Sequence, residues 1–419
     1  MALSSRYRTE RTKRSRISAH LSPPSEFEVE KIVANGYGLI RTFRGVILCR
    51  AVIPGETVRI HTVRRAGGVL WGEEFEILSP SPRRIDSPCP YFPLCGGCDF
   101  LHLSSDEHPP FKNAVAAETF RRILGFPVDV VGPFEAKTRS GLGYRHTIRL
   151  QGGAGYLGYC RKSSHDIIDI EDCLVAAEPL RGELRRWKRT SSFPARHLMI
   201  RCGNIDETEL TVVATRRGET RIRGDAVHYR FGETRLRVSA RSFFQNNPFA
   251  TQMILSDLTR LLPDARRFID LFAGVGTFAL TVGRRFPHAE AYEISRDALR
   301  DLEENAAGLS EVSFQKWDAA RGLRSALDSG DIVFVDPPRT GLPPRTLNDL
   351  SRSSPRLLVY LSCDVATMAR DLKTLLASGF HLDRPIRLYE MFPQTAHMEA
   401  LAFLKRSAGG PRRKEGTIR

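Results

Sequence analysis

Residues 359–371 read VYLSCDVATMARD: an apolar run ends at Ser362-Cys363-Asp364 and a helical pattern starts at once. A structural cysteine belongs within an apolar face, and a redox cysteine usually has a second one nearby, yet the next cysteine upstream is Cys202. A thiol at the open end of a strand suits a nucleophile held by a rigid element. Two other stretches carry carboxylates to strand ends. In DLFAGVGTFAL (270–280), Gly274 and Gly276 turn the chain from a strand into a helix, and Glu293 in YEIS closes the next strand. An acidic residue at that distance suits ribose hydroxyls. The turn lacks the third glycine that a pyrophosphate needs, which favours a donor without phosphate, S-adenosylmethionine, over a nicotinamide. In DIVFVDPPRTGL (331–342), Asp336 ends a strand and Pro337-Pro338 stiffens the loop. Amine-directed methyltransferases put an aromatic after such prolines; here Arg339 follows, against an amino acceptor. Asp318, at the end of a third strand, is placed to reach an adenine amino group or to cap a helix.

Carbon 5 of uracil is a poor nucleophile, and a thiolate adding to carbon 6 overcomes this by turning the ring into an enolate. A base must then remove the carbon 5 proton. Glu399 in FPQTAHMEALAF is the candidate, with His397 as runner-up.

A separate cluster, CPYFPLCGGC, spaces Cys89, Cys95 and Cys98 as C-x5-C-x2-C, and Cys173 in DIEDCLV supplies a fourth thiol. Such a set binds zinc or an iron–sulfur cluster, and spacing alone does not separate them. Cys49, Cys160 and Cys202 read as ordinary thiols.

The elements that must position these residues follow from pattern. From 251, strand-like runs (268–272, 289–294, 312–317, 331–336, 357–362) alternate with helical ones, which predicts a doubly wound, mostly parallel sheet, and 397–406 adds a last strand. Residues 126–244 are β-rich, and 111–124 form an amphipathic helix that could pack on the catalytic domain. Residues 25–79 alternate between glycines as short strands of a small barrel of the oligonucleotide-binding sort, with Arg41, Arg44, Arg50, Arg59, Arg64 and Arg65 expected on its outside. The boundaries read as a basic, disordered tail at 1–22, the barrel at 23–82, a cysteine-bearing central domain at 83–250, the α/β domain at 251–407 and a basic tail at 408–419. A formal charge of +15 points to a polyanionic partner, RNA above all. No apolar run is long enough to cross a membrane, and no secretory signal precedes the basic start, so the reading is of a cytoplasmic monomer.

Taken in order, the motifs resemble the class I RNA 5-methyluridine methyltransferases, most closely the branch with a TRAM domain and an iron–sulfur cluster typified by bacterial 23S ribosomal-RNA enzymes. The resemblance runs from about residue 25 to about 406. It implies a Rossmann-like catalytic domain, a TRAM-like barrel, and a four-iron four-sulfur cluster on Cys89, Cys95, Cys98 and Cys173. It implies Cys363 as nucleophile, Glu399 as proton acceptor, and Gln245, Phe272, Thr277, Glu293 and Asp336 around donor and target base. Ribosomal RNA is the first substrate it suggests and transfer RNA the second. The family's Ser-Cys-Asn-Pro is here Ser362-Cys363-Asp364-Val365, and the adjacent carboxylate is expected to raise the thiol's pKa. A non-catalytic iron–sulfur RNA-binding protein is the rival reading, against which the retention of Cys363 and Glu399 argues. Cytosine methylation typically needs a Pro-Cys pair at the nucleophile, where this chain has Ser362-Cys363.

Overall fold

The computed structural model describes residues 6–8, 18–43, 45–134, 141–153, 156–190, 195–206, 208–216 and 218–407; the expected tail at 408–419 and Arg44 lie outside them. Its largest sheet has nine strands. Across the sheet run Val312–Lys316, His288–Glu293, Arg267–Asp270, Asp331–Val335, Leu357–Ser362, Glu399–Arg406, Ile386–Tyr389 and Val130–Phe134, with Phe380–Leu382 pairing beside Glu399–Arg406. The first five are mutually parallel. Asp331–Val335 and Leu357–Ser362 are buried at every position, which is why they read as unbroken apolar runs rather than alternating ones.

Helices cover both faces. On one face lie α3 (Pro248–Leu261) and α4 (Arg296–Asn305), through Ile254, Leu258 and Leu302. On the other lie α5 (Pro344–Arg352), α6 (Val365–Ala377) and α1 (His108–Leu124), through Leu350, Leu372 and Phe120. So the sheet and its cover recruit α1 and the strand Val130–Phe134 from well before residue 251. The expected helix after the glycine turn is instead a run of turns over 271–282. Gly274 and Gly276, at φ of 57° and 93°, break its first turn. Only isolated helical bonds remain, such as Leu280 N–H to Gly276 O.

The central region is a six-stranded antiparallel sheet from Thr147 to Arg223, with α2 (Glu178–Thr190) packed on it through Leu180 and Leu184. The N-terminal region is a seven-stranded sheet around Val29, Ile40, Ile47, Val58, Ile60 and Phe75. Its first long strand starts at Ser18 and Arg6–Arg8 pairs with Glu74–Glu76; Ser18 and Arg6–Arg8 both fall within the stretch read as a basic tail. The long strand Thr57–Ala66 extends far enough to pair Arg64 with Ser18.

The barrel arginines do not all face outward. Arg41 pairs with Glu30, Arg59 with Glu26 and Glu76, and Arg64 with Glu73. Arg50 turns inward and donates from Nη2 to the carbonyls of Cys95 (2.7 Å) and Cys98 (2.8 Å).

Candidate active site

Parallel strands put their carboxyl ends on one edge. Asp270 and Glu293 are the last residues of their strands, while Asp336 and Cys363 each follow theirs directly. Glu399 reaches the same edge from the opposite direction. Its strand runs antiparallel to Leu357–Ser362 and begins at Glu399. Ser362 lies opposite Ala400, so the next step of the register sets Cys363 beside Glu399. Residues far apart in sequence thus become neighbours through strand pairing alone.

The edge is rich in acid, with Asp270 and Glu399 buried and Asp336 and Cys363 half-buried. Burial pushes Asp270 up to about 8, helped by Asp336. Burial likewise pushes Asp336 up to about 7, against a hydrogen bond from Gln245 Nε2 to its Oδ2 at 3.0 Å. Glu399 is raised well above the carboxylate range by burial and by Asp336, and Arg339 opposes this. The Cys363 thiol is pushed up to about 12, first by burial and then by Glu399, with Arg339 pulling it back. Asp364 is not among the largest influences on it. Its carboxylate accepts the Thr367 amide at 2.8 Å and caps α6. Arg339 was legible in sequence only as an argument against an amine acceptor; here it is the cation facing thiol and base. His397, held down at about 4 by burial and then by Arg339, lines the adjacent groove.

The donor side is built from glycines and backbone amides. A Cβ on Gly276 would meet Leu280 and Leu302 at 2.5 and 2.6 Å, so only glycine lets the turn lie so close. Glu293 accepts the amides of Gly274 (2.9 Å), Ile294 and Ser295 (both 2.7 Å), which fixes its carboxylate beside the turn. Phe272 is half-buried, with its amide 3.4 Å from Asp270 Oδ1, and Thr277 is buried behind the turn. Asp318 Oδ1 accepts the Ala320 amide at 2.8 Å and caps a short helical turn; it stands farther along the edge, next to Trp317. Among the described residues, Asp270 Oδ2 and Glu399 Oε2 are buried with no hydrogen-bond partner. A buried acceptor left open beside the glycine turn, as in Asp270, fits a ligand carrying positive charge or N–H groups.

Gln245 is wedged into place by its neighbours. Asn246 Oδ1 accepts the Thr147 amide of the central sheet, and Asn247 caps α3 while donating to the Glu390 and Met391 carbonyls. Sequence reasoning singled out Gln245 alone, although the pair of asparagines after it signalled a cap.

The cysteines gather elsewhere. Cys89, Cys95, Cys98 and Cys173 all line one cavity of about 400 Å³, counting its mouth, with Tyr91, Phe92 and Tyr159. Gly96 lies so close to the Cys160 carbonyl that a Cβ would sit 2.6 Å from it. Arg50 and Arg145 hold the loop by its carbonyls, the latter through Gly97 O at 2.9 Å. Among the described residues, no three His, Cys, Asp or Glu side chains are close enough for a single metal ion. The thiols instead ring a space.

Comparison with known proteins fits this edge. The family model described as tRNA (uracil-5-)-methyltransferase matches residues 217–407. An RNA methyltransferase of Streptomyces coelicolor is 31% identical over 428 residues, 92% of this chain and 93% of the relative. The chain belongs to the RNA (uracil-5-)-methyltransferase family. It is therefore an enzyme that methylates carbon 5 of uracil in RNA from S-adenosylmethionine. Another family relative, from Thermotoga maritima, is 27% identical over 90% of this chain and 98% of its own length. The crystal structure of the Pyrococcus abyssi tRNA (uracil-54, C5)-methyltransferase, in complex with S-adenosyl-L-homocysteine, superposes with a TM-score of 0.74 at 23% identity. It covers 91% of this chain and all of the other, and shows that the methyltransferase shares its fold. Among the described residues no helix is long and apolar enough to cross a membrane.

Proposed function

We propose that this methyltransferase acts through a covalent adduct between Cys363 and carbon 6 of a uridine, with Glu399 as the base. The observation that carries the reading is the strand register that sets thiol and carboxyl side by side on the donor edge. The Cys363 thiol loses its proton to water and the thiolate bonds to carbon 6 as the carbon 5–carbon 6 double bond opens to an enolate; carbon 5 then takes the methyl group from the sulfonium as S-adenosylhomocysteine leaves. Glu399 accepts the carbon 5 proton, the double bond re-forms, and the sulfur–carbon bond breaks. Arg339 lowers the cost of charge on both groups. Gln245 and Asp336 stand between donor turn and thiol and orient the base. Glu293 holds the donor's ribose, Phe272 and Thr277 flank the donor, and Asp270 faces its cationic end. Asp318 stands where the adenine edge would lie.

The RNA strand on either side of the target runs in the groove beside the thiol. That groove, of about 990 Å³ counting its mouth, is lined by Arg145, Arg149, Gln151, Lys162, Arg339 and His397 among others. A target base must be extruded or already unpaired to reach the thiol. The N-terminal barrel is TRAM-like in this reading.

The cysteine cavity suits a four-iron four-sulfur cluster held by Cys89, Cys95, Cys98 and Cys173. What favours a cluster over zinc is the resemblance to the iron–sulfur branch of the family. Bound there, the cluster ties the loop to the central sheet, and anaerobically prepared protein should contain iron and acid-labile sulfide. The barrel and cysteine loop together favour ribosomal RNA as substrate. The family model's description and the Pyrococcus neighbour favour transfer RNA as the second reading. Mapping 5-methyluridine in both RNA classes from a deletion strain separates them. RNA with 5-fluorouridine at the mapped site should trap the wild-type enzyme covalently; turnover of normal RNA with no trapped adduct would sink the covalent mechanism.

A further inference from the structure

One buried cation lies outside the reaction just described. Lys112, on α1, is 1% exposed. Its Nζ donates to Glu390 Oε2 at 2.6 Å and lies 3.1, 3.3 and 3.2 Å from the carbonyls of Phe392, Pro393 and His397. Those carbonyls belong to the loop 390–398, which leads directly into Glu399. An ammonium has three N–H groups, so the four acceptors share them, and three of the four are carbonyls of one short stretch of backbone gathered around a single point.

The same loop is held from a second side by the residue after Cys98. The Asp99 amide donates to the Gln394 carbonyl at 2.8 Å, and the Phe100 amide to the same oxygen at 3.2 Å. In return the Ala396 amide donates to Asp99 Oδ2 at 3.0 Å. Lys162 closes the far side of that carboxylate. The segment before the base thus has no regular secondary structure of its own and takes its shape from α1 and the cysteine loop.

We propose that Lys112 is the positioning residue for the base: by gathering the 392–397 carbonyls it sets where Glu399 points relative to Cys363. Burying a lysine is costly, and an apolar residue would fill the site without that cost. What an apolar residue lacks is the ability to hold three backbone carbonyls at one point. Proton removal from carbon 5 is the step most sensitive to that aim, because general-base catalysis falls off steeply with misplacement. Addition and methyl transfer, which use Cys363 and the donor, should be affected less. The inference rests on the covalent reading above.

Removing Lys112 alone strands the Glu390 carboxylate, so the test uses Lys112→Met with Glu390→Leu, which takes out both charges. In the full chain, this variant should bind S-adenosylmethionine within about twofold of wild type, since the donor turn lies on other strands, and turnover is read at saturating RNA because Phe392, Thr395 and His397 of the held loop line the groove. Its turnover should fall by about 100-fold, and a Cys363-dependent adduct with ordinary RNA should accumulate on a denaturing gel. Glu390→Gln, which keeps the cation and its carbonyls, should stay within about threefold of wild type. If the double variant does not fold, Lys112→Arg is read the same way: it keeps the charge, and its planar fork cannot gather the three carbonyls, so adduct should again build up. Near-normal turnover of a folded variant overturns the proposal, as does slow turnover without adduct. Wild-type enzyme that fails to trap on 5-fluorouridine overturns the covalent reading instead, whatever the variants do.

Discussion

The N-terminal sheet and the carboxyl edge of the catalytic sheet use charge in opposite ways. On the N-terminal sheet, Arg41, Arg59 and Arg64 are matched by Glu30, Glu26, Glu76 and Glu73 on neighbouring strands, half in solvent. Such pairs contribute little to stability and leave little net field for a polyanion. At the catalytic edge, Asp270 and Glu399 are buried and Asp336 is half-buried, with Arg339 as the nearby cation, and among the described residues one oxygen each of Asp270 and Glu399 has no hydrogen-bond partner. Matched surface charge belongs to scaffold; buried, mismatched charge is kept because a ligand completes it.

The largest effect expected from breaking the catalytic side is that of Cys363→Ala. Methylation should fall by about 10⁴-fold or more, while RNA and donor binding persist in filter-binding and calorimetric assays. The wild-type pH profile sharpens the same point. Asp336, Glu399 and Cys363 are all raised, so kcat/KM should climb with pH through and above 7. An ascending limb centred near the ordinary carboxylate range of about 4 would show that these groups are not the ones that must ionise.

Asp270→Asn comes next and should act in two directions. Donor affinity should fall by roughly 10- to 100-fold, since a charge-assisted bond is lost. Stability should move the other way. A carboxyl raised to about 8 when folded holds a proton that the unfolded chain releases above pH ~4. Wild-type stability therefore declines as pH rises from about 4 to 8, at about 1.4 kcal/mol per unit for such a group at most. The variant escapes this, so in donor-free protein its Tm should exceed that of wild type at pH 8 and converge with it near pH 4. Equal Tm values at pH 8 would remove the buried charge from the account.

Two smaller effects compare groove and barrel directly. Arg149 lines the groove and has no ion pair among the described residues. Arg149→Ala should weaken RNA binding by about 10-fold at low salt and reduce the salt slope by about one. Arg59→Ala and Arg64→Ala, each removing one half of a matched surface pair, should change RNA affinity by no more than about twofold. A larger loss from the barrel variants than from Arg149→Ala would reverse the comparison.

Much of the catalytic edge was legible in the sequence because its marks are local. Continuous apolar strands end in glycine, in paired prolines or at a cap, so Glu293, Asp336 and Cys363 could be placed on one edge from chain order alone. The cysteine spacing and Glu399 were visible in the same way, and the resemblance named Gln245. What escaped notice depends on pairing across distance. The strands Val130–Phe134 and Ile386–Tyr389 are short and only partly apolar, and they gain their place by pairing with each other. Arg50 read as one more surface arginine because its destination, the carbonyls of the cysteine loop, lies 45 and 48 residues away. Lys112 read as the polar position of an amphipathic helix, since the oxygens that bury it come from the far end of the chain.

The pairing of Val130–Phe134 with Ile386–Tyr389 makes the catalytic unit discontinuous: the chain begins it, leaves to build the central sheet, and returns to finish it. During synthesis, α1 and that strand emerge long before their partners exist. They must wait, with apolar residues such as Phe120 uncovered, until nearly the whole polypeptide has been made. Contacts of such long sequence separation are formed slowly and expose intermediates to aggregation. A fragment starting at residue 251 would carry Cys363 and Glu399 and yet present a bare strand edge, an uncovered helix face and a carboxyl segment without its lysine. The enzyme is thus divisible on paper at a boundary where the polypeptide itself is not.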